Sequence, residues 1–230
     1  MAREIFEKKI KQIQDEILLL GSMVEQAALD SVTAFKNRDV QSAKNIIEDD
    51  QNINDKRFAV ENAILILMAT QQPLAHDLRL LSAMLLVANE LERMGDYAKG
   101  IARNTVRLGI VDIPIPYRDI EKMSELAVSM LHRSLSAFVK EDIKMAVAIP
   151  PEDDEVDNLF NKCYRTIVNG MIANPATIDD ASLLLWIVHD LERFSDRVIN
   201  ICERTVFIKS GEMMEMGASD EEMDELDGED

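Results

Sequence analysis

The chain has 230 residues, with 43 acidic against 25 basic side chains for a net charge of −18, and 47% of its residues are apolar. The apolar share suffices for a real core and excludes a wholly disordered chain, while the acidity excludes a nucleic-acid backbone as partner through repulsion alone. Glu212 to Asp230 hold ten of the acids and no Lys or Arg, yet the body still carries about −8, so a cation or a basic protein surface is the natural counterpart of both parts.

The amino terminus, MAREIFEKKIKQIQDE, is charged every few residues where a signal peptide needs an apolar run, and no 18 uncharged apolar residues occur in succession. A soluble, cytoplasmic protein is expected. Alternating strand patterns are missing and aromatics make up 5% of the chain, so the fold class expected is all-α. Helix one runs from about Phe6 to Lys36 and turns at Asn37-Arg38-Asp39. Helix two follows to about Gln71, stopped by Gln72-Pro73, because the residue before proline is pushed out of the helical region. Helix three spans roughly Leu74 to Leu108. GIVDIPIP, Gly109 to Pro116, has a glycine and two prolines and marks the boundary between halves. Helix four covers about Tyr117 to Val139, helix five about Glu141 to Ala173, and helix six about Ile178 to Ser210, with Gly211 as its stop. Pro150-Pro151 inside helix five predicts a kink or a fresh helix start.

Leu81, Met84, Ala88, Leu91, Gly95, Ala98, Ala102 and Thr105 fall at alternating three and four spacing, the pattern of a bundle seam. One hundred residues later Ala181, Leu184, Val188, Leu191, Ser195, Val198, Cys202 and Thr205 form the same stripe, so the halves repeat. The division expected is a first three-helix bundle over 1–110, a second over 111–211 and an acidic tail over 212–230 whose composition reads as disordered. Cys163 and Cys202 have no CxxC partner and read as core thiols.

On that register Asn89-Glu90-Leu91-Glu92-Arg93-Met94-Gly95-Asp96 lies over His189-Asp190-Leu191-Glu192-Arg193-Phe194-Ser195-Asp196. Glu92 with Asp96, and Glu192 with Asp196, are carboxylate pairs about 6 Å apart along one helix face, a spacing that costs a helix a few tenths of a kcal/mol. For one copy, a solvated charged face with Glu90-Arg93 or Asp190-Arg193 pairs explains the acids. An unfavourable pair kept in both halves suggests a compensating cation, since hard metal ions are held by several carboxylate oxygens. Counting levels from the turns brings Asp49 and Asp50 of helix two and Glu25 of helix one to the height of Glu92. The same count finds Asp153, Asp154 and Asp157 near Glu192, within about two turns.

At these residues the sequence resembles the PhoU family of phosphate-uptake regulators. The resemblance runs from about Phe6 to Lys209 and rests on Gly21-Ser22-Met23-Val24-Glu25-Gln26, on Ile47-Glu48-Asp49-Asp50-Gln51-Asn52-Ile53-Asn54, on Gln72-Pro73 with Asp77-Leu78-Arg79-Leu80, and on Leu-Glu-Arg-x-x-Asp used twice. It implies two tandem three-helix bundles, a homodimer, and E(D)-x-x-x-D motifs that hold metal clusters, iron or zinc among them. It also implies negative regulation of phosphate homeostasis, through the Pst phosphate ABC transporter and its sensor histidine kinase, with membrane association through those partners only. No reaction is implied.

Two other readings remain open at this stage. A di-metal carboxylate oxidoreductase on a helical bundle needs Glu-x-x-His twice, and the chain has none. An inert helical scaffold would use its acids for solubility alone. No phosphate loop or nucleophile motif points to an enzyme.

Overall fold

A computed structural model describes residues 2–109 and 112–216. Among them every regular element is helical: α1 Ala2–Asn37, α2 Val40–Gln71, α3 His76–Arg107, α4 Tyr117–Lys140, the short α5 Ile143–Ala148, α6 Asp153–Ala173 and α7 Ile178–Ser210. The breakers act where the sequence places them. Asp39 caps α2 by accepting from the amides of Gln41 and Ser42, Gln72 ends it in the left-handed region before Pro73, and Gly211 ends α7 at φ 78°. The expected single helix five is instead three pieces, because Pro150 and Pro151 remove two donors. A turn of 3₁₀ helix, Pro150–Glu152, separates α5 from α6. The tail beyond Met216, expected to be disordered, lies outside the described residues.

α1, α2 and α3 pack on one another, α4 packs with α6 and α7, and α3 against α7 is the most extensive contact in the molecule. α3 and α7 run antiparallel: Arg79 donates to the carbonyl of Ile208, Gly100 lies against Asp190, and Gly109 against Asp180. The two motifs therefore meet at mid-height, on either side of a shared seam. Leu81, Met84, Ala88, Leu91, Ala98, Leu184, Val188 and Val198 are fully buried there and belong to one continuous core. Arg197 ties the halves together, reaching Tyr97 Oη at 3.4 Å and Glu90 at 3.6 Å.

Burial repeats with the sequence. The buried positions of α3 other than Leu80 recur in α7 one hundred residues on, while Asp50, Ile53, Val60, Ile64 and Leu67 of α2 recur in α6 as Asp153, Val156, Cys163, Ile167 and Gly170, one hundred and three on. Both cysteines are buried and free, and burial pushes each thiol up to about 12. Residues Arg3–Asn37 include a stretch long and apolar enough to cross a membrane by composition alone. Here its apolar positions Ile10, Ile13, Ile17, Leu20 and Val24 form the buried face against α2, α3 and α4.

Because Leu91 sits at the centre of the seam, Leu91→Ala should cost about 2–5 kcal/mol in chemical denaturation. Leu65→Ala, at a site 54% exposed, should stay within about 0.5 kcal/mol.

Candidate metal centre

The repeated motif places equivalent carboxylates in two grooves, one between α2 and α3 and one between α6 and α7. In the first, Asp50 is buried and faces Gly95, where an added Cβ would lie 3.2 Å from Ile53 and 3.9 Å from Asp50 Oδ1, so the glycine lets the two helices approach. Asp50 is not alone. Lys99 Nζ reaches across from α3 to its carboxylate, Asn54 donates to it at 3.0 Å, and the same ammonium lies 4.0 Å from Asp96. Glu92 is held above the ordinary carboxylate range by burial and by Asp96, with Arg57 pulling it back down and Asp50 adding to the rise. Arg57 bonds Glu61 at 2.7 Å and lies over the Phe58 ring.

In the second groove Asp153 opens α6, where the helix's positive end tolerates a carboxylate. It is 6% exposed and its Oδ1 has no hydrogen-bond partner. Burial pushes its carboxyl up to about 7, against the Ser195 hydroxyl beside it, and Asp157, Asp196 and Asp154 add to the rise. Glu192 is also pushed up to about 7, by burial first and then by Asp196, with Asp157 and Asp153 contributing and Arg193 opposing. Its Oε2 is buried without a hydrogen bond, although His189 Nδ1 and Arg193 Nε each stand 3.5 Å away. Arg193 bonds Asp196 at 2.9 Å on the groove's open edge. Ser195, bulkier than its counterpart Gly95, turns its hydroxyl onto the Glu192 carbonyl at 2.8 Å and so fits the seam.

Glu92, Asp96 and Asp50 thus share one neighbourhood, and Glu192, Asp196, Asp153 and Asp157 another. Asp49 is exposed and lines a neighbouring cleft of ≈ 450 Å³ between α1 and α2, together with Ser22, Gln26, Asp50 and Gly95. Glu25 does not join them. It projects from a different side of α1 and meets His132 of α4 at 3.3 Å, so helix one presents Ser22 and Gln26 at that height. As the side chains stand, no three His, Cys, Asp or Glu among the described residues converge on a point that could hold an ion. Sequence reasoning also missed Lys99, which pairs Asp50, and Arg57, which lies near Glu92; Lys99, three residues after Asp96, was the available signal.

Comparison with known proteins covers both repeats. A family model described as the PhoU domain matches residues 17–105 and again 120–205. The phosphate-specific transport system accessory protein PhoU homolog of Clostridium acetobutylicum is 31% identical over 217 residues, covering 94% of this chain and 99% of that one. The phosphate-specific transport system accessory protein PhoU of Escherichia coli is 33% identical, over 90% of this chain and 86% of its own. The crystal structure of the phosphate transport system regulatory protein PhoU from Streptococcus pneumoniae superposes with a TM-score of 0.84 at 30% identity, covering 91% of this chain and 99% of that one.

The two grooves should respond oppositely to losing a charge. Lys99→Met leaves Asp50 buried without its ammonium and should cost about 3 kcal/mol in thermal or denaturant unfolding. Asp153→Asn removes a buried carboxylate that lacks a partner on one oxygen, and in metal-free protein should be neutral or stabilising.

Proposed function

The chain belongs to the PhoU family, and from that premise we propose that it restrains phosphate-starvation signalling and phosphate uptake, working at the cytoplasmic face of the membrane by contact with the Pst transporter and its sensor kinase. In coarser terms it is a PhoU-like phosphate-transport accessory protein. What carries the finer reading is the completeness of the match: both repeats align, over 90% or more of the chain, with proteins named as accessory to the phosphate-specific transport system. Those relatives are named for accessory and regulatory roles and not as enzymes, which accords with a chain that acts by binding. Two copies assembled as a homodimer are part of the proposal.

Metal ions enter as ligands of the mirrored carboxylates. The donor chemistry of the second groove fits a hard or borderline cation, because buried carboxylate oxygens at Asp153 and Glu192 lack hydrogen-bond partners. Asp153, Asp157, Glu192 and Asp196 would hold it. A bound cation supplies local positive charge on an acidic surface, where phosphate or an acidic patch of a partner could then dock.

Deleting the gene should raise phosphate-starvation gene expression several-fold in phosphate-rich medium, measured by transcript levels. Expression that stays repressed would contradict the regulatory role.

A further inference from the structure

We propose that the two grooves divide their labour: the first is permanently neutralised by the protein's own Lys99, and only the second, at Asp153, Asp157, Glu192 and Asp196, takes an exogenous cation. The inference rests on the metal reading above and narrows it to one half of the chain.

The register makes the comparison position by position. Lys99, whose ammonium bonds Asp50, has Ile199 as its counterpart in α7. Arg57, the cation beside Glu92, has Phe160 in α6. Asn54, which donates to Asp50, has Asp157, a fourth acid where the first groove has an amide. In the first groove Lys99 thus pairs Asp50, and Arg57 lies near enough to lower the Glu92 carboxyl. In the other, isoleucine and phenylalanine stand at those two positions, and Asp153 has no such ammonium against it.

A buried carboxylate is tolerated when it is paired or bound to a metal. Asp50 meets that condition internally. Asp153, 6% exposed, has Oδ1 without a partner and lies among Asp157, Asp196 and Glu192, and Glu192 Oε2 is likewise buried without a hydrogen bond. Two basic side chains of α7 border the second groove. Arg193 is about half exposed and holds Asp196 from the solvent side, where water screens the pair, so an arriving ion can displace it. His189, 3.5 Å from Glu192, offers an imidazole nitrogen beside the carboxylates. That donor set suits Mn(II), Fe(II) or Zn(II). The side chains do not yet converge, so capture requires Glu192 and Asp196 to swing toward Asp153.

The test is titration of the full chain with Mn(II), and in parallel with Fe(II) under anaerobic conditions and Zn(II). Binding is read by calorimetry and, for manganese, by loss of the free-ion electron paramagnetic resonance signal. Wild type is compared with Glu92→Gln, Glu192→Gln and Asp153→Asn, each checked for helicity by circular dichroism. Glu192→Gln and Asp153→Asn should each weaken binding about tenfold or more, while Glu92→Gln leaves it within about twofold. Equal losses from Glu92→Gln and Glu192→Gln, or a loss from Glu92→Gln alone, overturn the division of labour while leaving metal binding intact. Failure of all three ions to bind wild type overturns the metal reading, and this inference with it.

Discussion

A carboxylate four residues from another on one helix face, with a third acid buried against it from the next helix, is unfavourable unless positive charge offsets it or a proton neutralises it. Both halves of this chain build that arrangement, at Glu92, Asp96 and Asp50 and again at Glu192, Asp196 and Asp153. The difference between them lies in the residues at two matched positions. In the first half Lys99 bonds Asp50, and Arg57, paired with Glu61, lies close enough to lower the Glu92 carboxyl. In the second, an isoleucine and a phenylalanine occupy those places, and Asp153 Oδ1 and Glu192 Oε2 are buried without a hydrogen bond.

The fold makes this contrast possible by holding the two clusters in matched settings. Antiparallel packing of α3 on α7 brings both motifs to mid-height, and small residues along the seam, Gly95, Ala98, Ala102 and Ser195, permit the close approach. Asp50 and Glu92 are 42 residues apart in sequence, whereas Asp153 and Glu192 are 39 apart, so the connection in the second half is three residues shorter. The turn at Pro150–Glu152 starts a new helix at Asp153 and sets that acid at the level of Ser195, as Asp50 is set at the level of Gly95. Divergence of two repeats therefore altered the chemistry of the groove and left its architecture in place.

Much of this was legible in the sequence, for identifiable reasons. Helix limits follow from Pro73, Pro175, Asp39 and Gly211, which act locally and leave the chain little choice. The seam follows from periodicity, and the juxtaposition of Asp50 with Glu92 follows from counting rise per residue back from a short turn. Counting gives height but not azimuth. Glu25 is near the right height, but it faces α4 because α1 serves as a neighbour to both bundles, a property of tertiary packing that no local pattern encodes. Lys99 and Arg57 escaped notice for a related reason: an isolated base on a helix reads as solvated until the partner it covers is known.

The account depends on a cation settling between α6 and α7 and nowhere between α2 and α3. Crystals of the wild-type protein grown with Mn(II), measured at the manganese absorption edge, test this directly. It predicts an anomalous peak bounded by Asp153, Glu192 and Asp196, with the Asp50–Lys99 pair intact and no peak beside it. A peak at Asp50 and Glu92 with Lys99 turned away, or no peak in either groove, would contradict it.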